Sequence, residues 1–490
     1  MSSSWPVATS TTRSARTKIV ATLGPASRSP EILRRLINAG VDVFRLNFSH
    51  GTHDEHSAAL SDILQVSHET GKNVAVLQDL GGPKMRLGPI PGDIVECPLG
   101  ARFRLVKNSK GTESGELTCT YPDLPNDLQV GEMVLFADGT VSMKVISTAP
   151  DMAELEVTLP GRLRSRQGIN LPGSQLNVSA LTDKDRHDLE WTARHADDVQ
   201  FVCLSFVRSP EDIQELRQEL ERRNCQAWIV VKIEKPQAVA RLEEIITAAD
   251  VVMIARGDLG VEMEVYKVPT IQKRAIEIAN ALHRPVITAT QMLNSMEHSN
   301  RPTRAEASDV FNAVLDGTDA VMLSGESAIG DYPVETVTTM RQICEEAENY
   351  LDQSDHPRMN STAASLEGLI HPITKAMVDS ACLAVETLSA QLIVAITLTG
   401  RTALALSNRR PNATILALTP SESIARALNL CWGVTALVSV ECSAASKALD
   451  SAIDWALQHG LVAKGDHVVL TRGEIPGQTT SRTVMIRRVD

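Results

Sequence analysis

At 490 residues the chain is too long for one hydrophobic core, so about two to four domains are expected and a single small module is excluded. Hydrophobic residues at 43% and charged residues at 22% are globular values, whereas aromatics at 3% leave the cores to Ala, Val, Ile and Leu, the make-up of parallel strands covered by helices on both faces. Lys plus Arg at 48 against Asp plus Glu at 60 give a formal charge of -12, which excludes broad electrostatic attraction to nucleic acid or to an anionic membrane and leaves room for a local cationic pocket.

Eight cysteines, at positions 97, 119, 203, 225, 344, 382, 431 and 442, stand in apolar contexts without a C-x-x-C pair, the usage of reduced, buried thiols in a cytoplasmic protein. No apolar run approaches the roughly eighteen residues that a membrane-spanning helix requires, and the N-terminus lacks the apolar block of a secretory signal. Residues 1–16, rich in Ser and Thr with Arg13 and Arg16, are expected to form a disordered tail, a transit peptide being the alternative.

From Lys18 the sequence repeats one rhythm, an apolar run ending in polar residues and then a helical pattern. The eight runs are KIVATLG, VDVFRLNFS, NVAVLQDL, DVQFVCLSF, AWIVVKIE, DVVMIARGD, PVITATQM and DAVMLSGE, most of them continuous enough for strands buried on both faces. Helical segments are predicted over Pro30 to Ala39, His53 to Glu69, Pro210 to Arg223 and Pro302 to Leu315, the last starting at Thr303 or Asn300 and stopping at Gly317. Eight such units predict an α/β chain built on a TIM (β/α)8 barrel, with a doubly wound open sheet as the alternative.

The rhythm breaks between the third and fourth runs. Two-residue alternations such as RFRLV, EMVLF, VSMKVI and AELEVTL, set between PIPGD, NSKGTESG, ADGT and LPGR turns, predict a small inserted β-barrel over 89–171 that hangs above the barrel mouth as a lid. After the polar stretch DQSDHPRMNSTAAS, the runs LIVAITL, TILALT, TALVSV and HVVLTR predict a C-terminal α/β domain over 351–490. The barrel itself is thereby assigned to 17–88 and 172–350.

Polar residues at the ends of different barrel strands meet at one mouth. Lys232 and Glu234 are two apart on a strand and share a face, and Asp258 ends the next run. Two carboxylates with open space between them suit Mg²⁺ or Mn²⁺, while a buried Lys-Glu pair and a turn Asp are the plainer alternative. Arg45, Asn47 and Ser49 share a face of the second run, and the third leads from Asp79 into a Gly81-Gly82-Pro83-Lys84 loop with exposed amides and Arg86 beyond it. With Arg256 these cations outline a metal-assisted phosphate site, the requirement of phosphoryl transfer. Thr290 and Ser324 to Ser327 add hydroxyls whose ordinary role is capping.

The segments TKIVATLGPAS, RLNFSHGTH, VVKIEKPQA, IARGDLGVE, TATQMLNSM, INLPG and RPTRAEASDVFNAVLDGTDAVMLSGESAIGDYP resemble the pyruvate kinase family, and the resemblance runs over essentially the whole chain. It implies a barrel interrupted by a lid, a C-terminal regulatory domain, a homotetramer, and transfer of a phosphoryl group from phosphoenolpyruvate to ADP, giving pyruvate and ATP, with no nucleic acid or membrane partner. By motif match it makes Lys232 the cation that meets the phosphoryl group in flight, Glu234 and Asp258 the ligands of Mg²⁺ or Mn²⁺, and Thr290 a participant in proton delivery. It also places Arg45, Asn47, His50, Arg86, Asp138 and Gly257 among the substrate and nucleotide contacts. A metal-dependent aldolase and an inactive metabolite-binding relative are the competing readings, and retention of Lys232 with both carboxylates counts against the second.

Two departures from the family pattern matter. Leu80-Gly81-Gly82-Pro83-Lys84 replaces the common Thr-Lys-Gly-Pro-Glu, and Gln167 stands where a nucleotide-facing Lys is usual. In K⁺-dependent members the ion sits among oxygens matching Asn47, Ser49, Asp79 and the carbonyl of Leu80, near a Glu at the position of Lys84. An ammonium there supplies the positive charge and repels a second one, so K⁺ is expected not to be required, with a lysine that points into solvent from an exposed turn as the alternative. In the C-terminal domain LIVAITL runs into Thr397, Thr399, Gly400, Arg401 and Thr402 at a helix start, where a phosphate is favoured. The position resembles the family's effector loop, and a phosphorylated allosteric activator is expected there, with an ordinary capped turn as the alternative.

Overall fold

The computed structural model of the chain describes residues 15–107, 115–173, 179–353, 372–439, 445–473 and 482–490. The tail expected over 1–16 lies outside these apart from its last two residues, as do Cys442, nearly all of the NSKGTESG turn and the polar stretch from Ser354. Arg16 is packed structure rather than tail: it is buried, its amide donates to Glu348 at 2.8 Å, and its guanidinium pairs with Asp352 at 2.9 Å.

All eight apolar runs are strands of one closed parallel barrel: Lys18–Thr22, Val43–Asn47, Ala75–Asp79, Phe201–Leu204, Trp228–Ile233, Val251–Ala255, Val286–Ala289 and Ala320–Leu323, with the first paired to the second and to the last. Six are buried at every residue, as continuous runs of Val, Ile, Leu and Ala require when both faces are covered. The open-sheet alternative is thereby removed. The helices begin where side-chain oxygens satisfy their first amides: Ser29 accepts from Ile32 ahead of Pro30–Ala39, and Thr303 forms a capping box with Glu306 ahead of Arg304–Leu315. Gly317, just past that helix, takes φ 95, a conformation costly for a residue with a side chain.

By packing, the described chain forms two units. One contains Leu46–Ser57 and Val76–Gln291, and so carries the inserted segment and the fourth to seventh barrel strands. Apart from one short helix, Leu124–Asp127, the insertion is β: a six-stranded sheet and a two-stranded sheet, Ile94–Cys97 with Gly161–Arg164, close on Phe103, Leu105, Phe136, Met143 and Leu155. The other unit holds residues up to Arg45, Ala58–Ala75 and Met292 onward. In it the C-terminal sheet has four parallel strands, and a fifth, Thr483–Arg488, runs antiparallel to His467–Arg472. That edge strand is additional to the four runs read from the sequence. Within the same unit Arg410 reaches the carbonyls of Gly317 and Thr318, at 2.7 and 3.0 Å, and the carboxylate of Asp319.

Seven cysteines among the described residues are free, six of them buried. No helix among the described residues is long and apolar enough to cross a membrane.

Candidate active site

The strand Trp228–Ile233 carries Lys232 on its last turn of pleat and hands Glu234 to the following loop. Their spacing of two places both on one side, and the Lys232 Nζ lies 3.3 Å from Glu234 Oε2, with side chains 13% and 1% exposed. Glu234 Oε1 accepts the Phe206 amide at 2.6 Å, while Oε2 makes no hydrogen bond among the described residues. A buried carboxylate oxygen without a hydrogen bond is unfavourable unless a cation completes it. Asp258 is part-buried in the short helix Arg256–Glu262, and its charge acts on both Lys232 and Glu234. Two carboxylates, one with a buried oxygen that accepts no hydrogen bond and faces only the Lys232 ammonium among the described residues, fit a hard divalent ion that draws its other ligands from substrate and water. Among the described residues there is no third His, Cys, Asp or Glu to close such a site.

Burial raises the Glu234 carboxyl to about 7 against the lowering effect of Lys232, and Asp258 adds to the rise. Burial works to lower the Lys232 ammonium, but Asp79, Glu234 and Asp258 outweigh it and hold its pKa above the ordinary lysine value. Lys232 therefore stays charged. It also donates to Ser205 Oγ at 3.0 Å, and Ser205, 2% exposed, donates onward to the Leu80 carbonyl at 2.9 Å. Ser205 ends the fourth apolar run, where no sequence signal marks it as part of a site. Its neighbour Phe206, with φ 59, is equally unmarked.

The remaining expected residues fall into smaller groups. Asn47 Oδ1 accepts the Ser49 amide at 3.1 Å, a local turn, and His50 is exposed. Arg45 donates to Thr22 Oγ1 at 2.9 Å. Gly257 N–H donates to Thr290 Oγ1 at 2.7 Å, so the loops of the sixth and seventh strands meet. Arg86 donates to the carbonyl of Arg166 in the lid at 3.3 Å.

Two expectations are corrected. In the Gly81-Gly82-Pro83-Lys84 loop two of the three amides are already committed within the protein, Gly82 N–H to Asp185 at 3.2 Å and Lys84 N–H to the Gly82 carbonyl at 2.8 Å, and beyond it Arg86 N–H donates to Thr120 at 2.9 Å. Gly82 is needed for another reason, since at φ 61 a Cβ would stand 2.8 Å from the Phe206 ring. Arg256 does not line a phosphate pocket with the other cations. Its guanidinium donates to the carbonyls of Thr290 and Ala289, at 2.7 and 3.3 Å, and to Gln272.

Lys84 is exposed, and its ammonium makes no hydrogen bond or ion pair among the described residues. Its stem runs beside the lid: a Cβ on Gly168 would stand 3.9 Å from both Lys84 Cε and Asp138 Oδ1. Asp138 sits in a turn with Ala137 and Gly139, all at positive φ. A further link joins lid and barrel at residues that carry no motif. Glu262 Oε1 accepts from Lys235 at 2.7 Å and from Asn170 of the lid's return strand at 3.2 Å.

In the C-terminal sheet's unit, Thr397 and Thr402 are buried, Thr399 and Arg401 are exposed, and Gly400 with φ 80 leads into the helix Arg401–Asn408. A Cβ on Gly473, the residue just after His467–Arg472, would stand 3.4 Å from Thr402 Oγ1, so the backbone passes beside that hydroxyl there.

The model of the pyruvate kinase barrel domain matches residues 14–337, and that of the pyruvate kinase alpha/beta domain matches residues 375–486. The chain belongs to the pyruvate kinase family. It is 41% identical over 473 residues to the pyruvate kinase of Geobacillus stearothermophilus, covering 96% of this chain and 79% of that one. It is 40% identical over 476 residues to the pyruvate kinase of Staphylococcus aureus (strain MRSA252), covering 96% and 80%. A solved pyruvate kinase from Cryptosporidium parvum superposes with TM-score 0.91 at 34% identity, covering 97% of this chain and 96% of that one. As a member of the pyruvate kinase family the chain is a glycolytic phosphotransferase on a barrel fold, a family whose substrates are phosphoenolpyruvate and ADP and which depends on a divalent metal.

Proposed function

We propose that the mouth built around Lys232, Glu234 and Asp258 is where the phosphoryl group of phosphoenolpyruvate passes to ADP, with Glu234 and Asp258 holding Mg²⁺ or Mn²⁺. The observation that carries this reading is the Lys232–Glu234 pair, 3.3 Å apart and buried, with Glu234 Oε2 lacking a hydrogen bond. When bound, the metal supplies positive charge to the oxygens of the transferring group.

Lys232 meets the negative charge on the equatorial oxygens of the phosphoryl group. Its ammonium is already charged and desolvated, so its attraction is stronger than in water and needs no reorganisation at the moment of transfer. Ser205 aims it. Arg45, Asn47, His50, Arg86 and Gly257 contact substrate and nucleotide phosphates, and Asp138 brings the lid to the nucleotide, which excludes water from the transfer. Thr290 belongs to the later step, in which the enolate of pyruvate gains a proton at its methylene carbon.

Three finer readings belong with this one. K⁺ is not required, because Lys84 brings an uncommitted ammonium to the loop between Asp79 and Arg86. Its position beside Gly168 gives the long stem reach into that region as the lid moves. A phosphorylated activator binds at Thr397, Thr399, Gly400, Arg401 and Thr402. The enzyme works as a homotetramer in the cytoplasm. Pyruvate release from phosphoenolpyruvate and ADP, measured with Mg²⁺, with chelator, and with K⁺ exchanged for tetramethylammonium, tests the set. Turnover should vanish with the chelator alone, and turnover that survives chelation would remove the metal assignment.

A further inference from the structure

Thr290 and Gln291 take φ of 70 and 54. Positive φ is a sparsely populated region for any side chain and an outlier for a β-branched one, so it persists only where the surroundings fix it. Here the surroundings are specific. Arg256 Nη2 donates to the Thr290 carbonyl at 2.7 Å, Nε donates to the preceding carbonyl of Ala289 at 3.3 Å, and Nη1 donates to Gln272 Oε1 at 3.3 Å. The Thr290 hydroxyl accepts the Gly257 amide at 2.7 Å and donates to Ala289 O at 2.6 Å.

A rigid guanidinium thus spans two successive carbonyls of a strained turn, and the residue after the arginine fixes the hydroxyl on that turn. Lysine cannot reproduce this, because a single ammonium lacks the planar fork that reaches both carbonyls and Gln272 together. Side chain and backbone of the same dipeptide, Arg256-Gly257, therefore set where Thr290 Oγ1 stands relative to Asp258, one residue further on.

We propose that Arg256 is a positioning residue for Thr290: it touches no phosphate and acts on the reaction by holding the Thr290 hydroxyl in place. The inference rests on the reading of Thr290 as part of proton delivery to the enolate carbon. It predicts that loss of the fork damages the proton step and leaves substrate binding nearly untouched, because displacing a catalytic group by about 1 Å costs up to about 100-fold in rate.

The test compares wild type, Arg256→Lys, Thr290→Val and the double variant. The readouts are kcat, KM for phosphoenolpyruvate, and the exchange of pyruvate methyl protons for deuterium in D2O, which reports the proton step without net turnover. Arg256→Lys should lower kcat and methyl exchange together by about 10- to 100-fold, with KM moving less than about threefold. In the Thr290→Val background the same change should cost almost nothing further, since its target is already gone.

Equal losses in both backgrounds, or a rise in KM at unchanged kcat, would overturn the positioning role, the latter by showing direct contact with substrate. Failure of the underlying reading looks different: Thr290→Val would then exchange methyl protons at the wild-type rate, while a loss of kcat in Arg256→Lys that disappears in the double variant would still uphold the clamp. Should Arg256→Lys not fold, Gln272→Met, which leaves both carbonyl bonds in place, must show a smaller loss of the same kind, and wild-type kcat and exchange in it would count against the proposal.

Discussion

Lys232 Nζ lies 3.0 Å from Ser205 Oγ, and through that hydroxyl the ammonium is tied to the Leu80 carbonyl of a different barrel strand's loop. The serine is an acceptor for one group and a donor to the other, so without it the Leu80 carbonyl loses this donor and the ammonium keeps, among the described residues, only its pairing with Glu234. Ser205→Ala should therefore weaken folding by about 1–3 kcal/mol, through the buried carbonyl left without a donor. It should also lower kcat by about tenfold as the ammonium loses its aim. Urea unfolding and initial rates check the two effects separately, and a normal kcat in a destabilised variant would make Ser205 structural only.

His56 stacks on Phe48 with ring centroids 4.0 Å apart, and its Nε2 faces the His50 carbonyl at 2.9 Å, next to the loop that carries Asn47 and Ser49. Burial lowers its pKa below the ordinary histidine value, although the His50 carbonyl and Asp188 oppose this. The unfolded chain then binds the proton more readily than the folded one, so stability falls as pH drops through about 6.5 toward the lowered value and is regained above it. In His56→Phe, which keeps the stack, thermal stability between pH 5 and 7 should depend on pH less steeply than in wild type. Parallel pH profiles would show that His56 is not the group responsible.

On the proposed reading Lys84 takes the place of a monovalent ion. Activity in tetramethylammonium with saturating Mg²⁺ should be close to that in K⁺, and Lys84→Glu should create a K⁺ requirement, because the charge that excludes the ion becomes one that attracts it. A many-fold loss of wild-type rate on removing K⁺ would contradict the assignment.

For the C-terminal unit, Arg401→Ala together with Thr402→Val should abolish activation by sugar or nucleotide phosphates while leaving the basal rate unchanged. Arg401 is exposed and Thr402 buried beside Gly473, so the charge change tests the ligand contact and the isosteric change tests the hydroxyl. Undiminished activation would move the effector site elsewhere.

What can be read from the sequence divides along a physical line. Strand and helix periods are local, so all eight barrel strands, the capping of Arg304–Leu315 by Thr303, and the shared face of Lys232 and Glu234 are legible in the order of residues alone. Which group claims a given cation is a tertiary question. Arg256 stands at a strand end like the residues expected to face phosphate, yet its partners are carbonyls at the end of the seventh strand, 33 and 34 positions along the chain. Ser205 and Phe206 are not residue types that announce chemistry, and they matter because Lys232 and Glu234 come back to them from the neighbouring strand. The antiparallel edge strand Thr483–Arg488 is half-exposed with a broken alternation, too weak a pattern to separate from loop.

In the proposed reaction Lys232 provides the charge that carries the phosphoryl group across while Glu234 and Asp258 hold the metal. Lys232→Met should keep Mn²⁺ binding near the wild-type level and reduce turnover to less than about a thousandth, whereas Glu234→Gln and Asp258→Asn should each weaken Mn²⁺ binding by about tenfold or more. The decisive measurement is the single-turnover rate of Lys232→Met with Mn²⁺, phosphoenolpyruvate and ADP all bound. A rate too small to detect agrees with the account, and a rate as high as about a tenth of wild type would contradict it.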